Sequence, residues 1–155
     1  MGTDLQSEIR QTRPFTSLRE EASLNLWRTA SALDAGLERV LKSHGISAAQ
    51  YNVLRILRGA GADGLCRNEI RDRLVSRMPD VTRLLDRLEL LGLVRRERRS
   101  EDRRQVSTYL TDAGSELLLA LDEPVADENE RQWKHMTDDQ IRTFIALCTI
   151  TRQAD

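Results

Sequence analysis

The chain has 155 residues, a formal net charge of -1 and 32% charged residues, whereas aromatic residues make up only 4%. This length can bury one respectable core, and the composition is typical of a soluble, helix-rich protein. Its longest apolar runs, such as LLLAL at 117–121, are too short to span a bilayer, and the N-terminus has no apolar signal sequence. We therefore expect a cytoplasmic protein that does not contact membranes.

Few residues offer catalytic or metal-binding chemistry. Cys66 and Cys148 lie far apart without metal-ligand spacing, and His44 and His135 belong to no ligand cluster. The glycine-rich segment 59–64 lacks the Lys-Ser/Thr that follows a phosphate-binding loop. We predict no catalytic residue, no metal site and no cofactor, and hence a protein that is not an enzyme.

Charge is distributed unevenly along the chain. Residues 67–104 contain 12 Lys and Arg against 8 Asp and Glu, a net charge of +4, whereas residues 111–155 contain 4 against 10, a net charge of -6. The pattern predicts a phosphate-facing module inside an otherwise acidic scaffold.

The first half of the chain reads as two helices. Apolar residues spaced by four and three predict a long amphipathic helix through 24–41. Gly45 ends this region, and Ser47 with Gln50 forms a predicted capping box that begins a second helix at 48–57. The three glycines of 59–64 then predict a loop.

The middle of the chain has helix-turn-helix spacing. A helix is predicted over 67–74, followed by a short turn with Ser76 and Pro79 and a second helix over about 79–91. Gly92 is well placed to end the second helix. Its predicted inward side is apolar and consists of Val81, Leu84, Leu85, Leu88 and Leu91.

A hairpin and two further helices follow. Residues 93–98 and 105–110 are strand-like, and the second segment alternates Val106, Thr108 and Leu110 with polar residues, while 99–104 form a polar tip. Thr111 can cap the next helix, which Pro124 should end or kink. Thr137 opens a second capping box before the last helix.

A helix-turn-helix followed by a basic hairpin predicts contacts with both grooves of duplex DNA. The second helix fits the major groove, and Asp102 can hold one wing guanidinium while another enters the minor groove. The alternative is a solvated hairpin whose arginines form intramolecular salt bridges. The candidate DNA-binding residues are Arg77, Asp80, Thr82, Arg83, Arg87, Arg98, Arg99, Asp102, Arg103 and Arg104.

Four segments carry a family resemblance. In order and spacing the chain resembles the MarR (multiple-antibiotic-resistance regulator) family at DVTRLLDRLE (80–89), GLV (92–94), DRR (102–104) and LTDAG (110–114). Weaker similarity extends from about Leu24 to Ile150. The resemblance places Arg83 on the recognition helix and Arg104 in the minor groove, with Asp102 orienting the wing.

The resemblance also implies an architecture and a mode of action. We expect a mainly α, single-domain chain (1–155) with a winged helix-turn-helix lobe at 47–111 that bears a two-stranded β-wing. Dimerisation helices are expected at 18–44 and 112–152. Members of the family usually repress transcription as homodimers on pseudo-palindromic operators. Many release DNA when a small, often phenolic, effector binds, and the sequence does not indicate where such an effector would bind here.

The chain departs from the family pattern at its cysteines. No cysteine lies near the start of the first long helix, where the peroxide-sensing branch carries its thiol, and Cys66 occupies the predicted N-cap of the 67–74 helix. Whether Cys66 is redox-active or a small cap stays open. Two rival functions also stay open: a winged-helix module that binds an acidic protein, and a constitutive DNA-binding repressor without an effector.

Overall fold

The computed structural model describes residues 4–76, 80–98 and 105–153. Two compact units, Met1–Gly36 and Leu37–Asp155, make up the chain. The elements in chain order are the helices and strands α1 (Leu5–Glu8), α2 (Leu18–Lys42), α3 (Ala48–Ala60), β1 (Leu65–Cys66), α4 (Arg67–Arg73), α5 (Val81–Leu90), β2 (Val94–Arg98), β3 (Val106–Leu110), α6 (Asp112–Trp133) and α7 (Asp138–Arg152).

The first unit contains α1 and most of α2. The Asp4 carboxylate caps α1 by accepting a hydrogen bond from the Ser7 backbone N–H at 2.8 Å. Arg28 of α2 forms an ion pair with Glu8 at 3.5 Å. The sequence analysis did not predict α1, because a helix of four residues is too short to show a periodic pattern.

The capping box at Ser47 is confirmed and explains why α3 begins at Ala48. Gln50 N–H donates to Ser47 Oγ at 3.2 Å, and Ser47 N–H donates to Gln50 Oε1 at 2.9 Å. Helix α3 continues to Ala60, three residues beyond the predicted end, and a 3-10 turn over Gly61–Asp63 occupies part of the predicted loop. Val53, Leu54 and Leu57 of α3 are almost completely buried in the core of the second unit.

Helices α4 and α5 pack on this core as the predicted helix-turn-helix. Val81, Leu85 and Leu88 of α5 are buried as predicted, and Ile70 of α4 is buried with them. Each such side chain contributes about 1.5–3 kcal/mol relative to exposure. The prediction for Leu91 was wrong, since its side chain is 43% exposed. Helix α5 ends at Leu90, so Leu91 is a cap residue outside the buried stripe.

Gly92 turns the chain from α5 into the wing. Its φ of +72° lies in the left-handed region that favours glycine. Its N–H donates to the Glu89 carbonyl at 2.9 Å, and the Leu93 N–H donates to the Leu88 carbonyl at 3.0 Å. This pair of bonds is a Schellman motif, which fixes the direction in which β2 leaves α5.

The predicted hairpin is present, but the sheet has a third strand that the sequence analysis missed. The strand order is β1-β3-β2, with both pairs antiparallel. Strand β1 has only two residues, too few to show alternation. The predicted alternation in β3 was also wrong, because Ser107 and Thr108 are both buried while Val106 is 42% exposed.

The last two helices complete the second unit. Helix α6 runs through Pro124 to Trp133, so the proline does not end it. Pro124 has no N–H to donate to the carbonyl of Ala120, an exposed residue four positions earlier. The Thr137 capping box is confirmed and begins α7, in which no residue is buried. Among the helices of the described residues, none is both long and apolar enough to cross a membrane.

Candidate nucleic-acid interface

The N-terminus of α5 is built around Asp80. This residue is the N-cap, and its carboxylate accepts a hydrogen bond from the Arg83 backbone N–H at 3.2 Å. A cap of this kind is typically worth about 1 kcal/mol to a helix. The geometry therefore gives Asp80, a predicted DNA-binding residue, a role in positioning the first turn of α5.

The exposed side of α5 carries the other predicted helix residues. Thr82, Arg83 and Arg87 are all exposed, opposite the buried Leu85 and Leu88. Among the described residues, neither the Arg83 nor the Arg87 guanidinium has an ion-pair or hydrogen-bond partner. Both cations lie on a solvent-facing surface that an outside anion such as a phosphate or a guanine edge can reach.

Thr82 has a neighbour that the sequence analysis did not single out. Arg67, the first residue of α4, donates from its guanidinium to Thr82 Oγ1 at 3.4 Å. This bond joins the two helices of the helix-turn-helix at their solvent-facing ends. Arg67 is exposed, so the basic surface of α5 continues onto α4.

The arginines of β2 differ in what they contact. Arg95 lies over the Tyr109 ring, 4.5 Å from its centroid, and also pairs with Glu97. Arg96 bonds to carboxylates of α5. Arg98 is exposed and, within the described part of the chain, has no side-chain partner. Among the described arginines of the wing, Arg98 best fits the predicted phosphate contact.

The ten predicted DNA-binding residues divide into two groups. Five of the ten predicted residues lie outside the described residues: Arg77, Arg99, Asp102, Arg103 and Arg104. The roles assigned to them stay predictions. Of the other five, the structure brings Thr82, Arg83 and Arg87 together on one face of α5, with Asp80 as its cap and Arg98 at the end of β2.

Arg96 is the residue that the sequence analysis missed. The sequence analysis assigned it no separate role, yet its side chain is only 28% exposed and reaches Asp86 and Glu89 on α5. Its guanidinium holds the pKa of the Glu89 carboxyl below the usual range, chiefly by donating hydrogen bonds to it. The sequence offered one signal of this contact: Asp86 and Glu89 are spaced by three residues and so lie on the same side of α5.

The base of the wing is held by one threonine. The Thr111 hydroxyl donates to the Gly92 carbonyl at 2.7 Å and accepts from the Gly114 N–H at 3.1 Å. The Thr111 N–H also donates to the Leu93 carbonyl at 3.1 Å. These bonds connect the end of α5, the start of the wing and the N-terminus of α6.

A cleft lies beside these elements. Its volume is about 560 Å³, and Thr82 and Leu85 of α5, Arg67 of α4 and Arg96 and Thr108 of the sheet contribute to its walls. Ligand sites commonly have volumes of about 300–1,000 Å³. No group of three or more His, Cys, Asp or Glu that could hold a metal ion is found among the described residues.

The packed helix pair and the hairpin behind it define a winged helix-turn-helix, a fold of DNA-binding proteins. Comparisons with known proteins agree with this assignment of the fold. A model described as the MarR family matches residues 44–105. The HTH-type transcriptional regulator PecS of Dickeya dadantii is 31% identical over 131 residues, which cover 83% of this chain and 78% of PecS.

Solved structures give the same result. A MarR transcription factor from Planctomyces limnophilus is 44% identical, with a TM-score of 0.68 over 88% of this chain and 99% of that one. A mutant MarR from E. coli, crystallised in complex with operator DNA, is 26% identical, with a TM-score of 0.78 over 96% of this chain and 99% of that one. The chain belongs to the MarR family and is a DNA-binding transcriptional regulator, not an enzyme.

Proposed function

We propose that the protein binds a pseudo-palindromic operator as a homodimer and represses transcription until a small-molecule effector releases it. The observation that carries the DNA-binding part is the exposed face of α5, where Arg83 and Arg87 have no ion-pair partner among the described residues. An α-helix fits the major groove, and Arg is the commonest reader of guanine there. The E. coli MarR mutant, to which this chain is 26% identical, was crystallised in complex with operator DNA, which supports the same kind of partner here.

The wing would make the second contact. Arg98 ends β2 next to the predicted polar tip, and the sequence resemblance assigns Arg104 of that tip to the minor groove. Each phosphate that is neutralised adds about 0.9 to the slope of log affinity against log salt. A complex that uses both α5 and the wing should therefore be strongly salt-sensitive.

The homodimer is supported by α7. None of its residues is buried, and three large apolar side chains are more than half exposed: Ile145 by 58%, Leu147 by 57% and Ile150 by 63%. Large apolar side chains gathered on one helix are typical of an interface. Phe144 of α7 packs on Trp133 of α6, with ring centroids 5.3 Å apart, so the two helices can present a joint surface to a second copy.

The DNA-binding proposal is tested by fluorescence anisotropy with the gene's own upstream duplex and a scrambled duplex at several salt concentrations. We expect tight, salt-sensitive binding to the native duplex and a loss of about 10- to 100-fold in Arg83→Ala and in Arg104→Ala. The control is Arg55→Ala, which removes an exposed arginine of α3 and should bind like wild type. Equal, weak binding to both duplexes would instead favour the protein-interaction module.

The dimer and the effector need separate measurements. Sedimentation equilibrium should give a dimer for wild type and a monomer for Ile145→Glu, because the charge would lie in the apolar interface. A panel of small aromatic acids and phenols is then titrated into the protein–operator complex. Release by one of them supports an effector, whereas operator binding that no compound alters supports a constitutive repressor.

A further inference from the structure

Arg96 links the wing to the recognition helix. From β2, its Nε donates to Glu89 Oε2 at 2.9 Å, and its backbone N–H donates to Glu89 Oε1 at 3.2 Å. A terminal guanidinium nitrogen also lies 2.7 Å from Asp86 Oδ1. One side chain thus engages two carboxylates that are one helical turn apart on α5.

The two carboxylates are an unexpected feature of a DNA-facing helix. Helix α5 contains two arginines, Arg83 and Arg87, and two acids, Asp86 and Glu89, so its formal charge is zero. An uncompensated carboxylate near the phosphate backbone would oppose binding. Their position opposite Arg96 gives them a different use, since Asp86 and Glu89 share the side of α5 that faces the sheet.

We propose that Arg96 is a positioning residue for operator binding. It holds β2 against α5, so that the wing and the recognition helix reach their two grooves in a fixed relation, and it compensates the two acids. This inference rests on the proposed DNA-binding function. Arg96 itself does not contact the phosphates in this arrangement, because its side chain is only 28% exposed and its guanidinium is engaged by both acids.

The link differs from the other ion pairs of the lobe. Arg95 and Glu97 pair within the same strand, with exposures of 50% and 58%. Arg71 and Asp72 are adjacent residues of α4. Neither pair joins two elements, and exposed pairs of this kind contribute little to stability. Among these three pairs, only the Arg96 link fixes one DNA-contacting element relative to the other.

The decisive variant is Glu89→Gln, which keeps the size of the side chain but removes its charge. If Glu89 acted only through its own charge, its removal would strengthen binding to the polyanion. The positioning role predicts the opposite result, a rise of about tenfold in the Kd for the operator, because a charge-assisted contact to Arg96 is weakened. The sign of the change therefore separates the two roles.

Glu97→Gln is the matched control. It removes the same charge from the wing and weakens an Arg–Glu pair, but it leaves the contact between β2 and α5 intact. We expect its Kd to equal that of wild type or to fall slightly. An unchanged or lower Kd for Glu89→Gln would overturn the proposal, and so would an equal loss in both variants.

Two further measurements keep the proposal testable. Arg96→Met should weaken binding, and adding Glu89→Gln in that background should raise the Kd no further, because the contact between the two residues is already absent; a further loss of about tenfold there would overturn the positioning role. The exchange Glu89→Arg with Arg96→Glu should bind the operator more tightly than Arg96→Glu alone, because it restores a pair across the same contact. No recovery would count against the proposal.

Folding and the proposed function are checked in the same series. Circular dichroism identifies any variant that does not fold, in which case Asp86→Asn, at a more exposed acid, is judged by the criterion set for Glu89→Gln. Failure of the wild-type protein to prefer the native duplex would refute the proposed function itself. If the wild-type protein binds the native duplex and Glu89→Gln binds it equally well, only the inference about Arg96 is refuted.

Discussion

Gly114 is the position at which a single methyl group should do most harm. It is the third residue of α6 and is buried. A Cβ at this position would lie 2.3 Å from the Leu93 carbonyl oxygen and 2.7 Å from Leu110 Cδ1. The leucine side chain can rotate away, but the carbonyl is backbone and already accepts a hydrogen bond from the Thr111 N–H at 3.1 Å.

The size of the effect follows from two opposing contributions. Alanine is favoured over glycine inside a helix by about 0.8–1.0 kcal/mol. Forcing extra volume into a packed site typically costs about 1–3 kcal/mol, and a clash with backbone belongs at the upper end. We expect Gly114→Ala to lose about 2 kcal/mol of unfolding free energy, which lowers the Tm of a protein of this size by about 4–8 °C.

Gly59→Ala is the matched comparison. Gly59 is an exposed residue of α3, and a Cβ there would meet no atom within 4 Å. The same substitution should therefore raise the Tm by about 2–3 °C. Both proteins are heated at one fixed concentration, because the Tm would depend on concentration if the protein forms the proposed dimer. A Tm for Gly114→Ala at or above that of wild type would refute the steric reasoning.

Three further predictions concern stability. Ser47→Ala should lose about 1 kcal/mol in urea denaturation, because the α3 capping box is lost. Leu118→Ala, at a fully buried position, should lose about 2–5 kcal/mol, whereas Leu90→Ala, at a position that is 77% exposed, should stay within about 0.5 kcal/mol of wild type. The contact with Arg96 lowers the pKa of Glu89 from its usual 4.5 in the folded protein. The ionised carboxylate therefore stabilises the fold above pH 4.5, and this stabilisation is lost as the pH falls through the lowered pKa. The stability difference between wild type and Glu89→Gln should therefore shrink in acid, and a difference that grows there would contradict the assignment.

The sequence predicted those parts of the fold that depend on local patterns. The capping boxes at Ser47 and Thr137 and the glycine turn at Gly92 each depend on neighbouring residues, and the structure confirms all three. Leu91 was wrongly predicted to be buried because the predicted helix extended to this residue, whereas α5 ends at Leu90. Helix α6 runs past Pro124 and buries Leu118 and Leu121, and this tertiary packing is not contained in the local breaking signal of a proline.

The candidate site was predictable only in part. The exposure of Arg83 and Arg87 follows from the helical period of α5, which is a local property. The engagement of Arg96 depends instead on how β2 lies against α5, and no local pattern contains that relation. Strand β1 illustrates the same limit, because two residues become a strand only when β3 lies beside them.

The two edges of the small sheet have a consequence for behaviour at high concentration. An unpaired strand edge can join another chain and begin aggregation, and short length or charged side chains discourage such joining. Strand β1 offers only two residues, and β2 carries the exposed charges of Arg95, Glu97 and Arg98 along its five. The exposed charges along β2 thus discourage edge-to-edge association between copies of the protein.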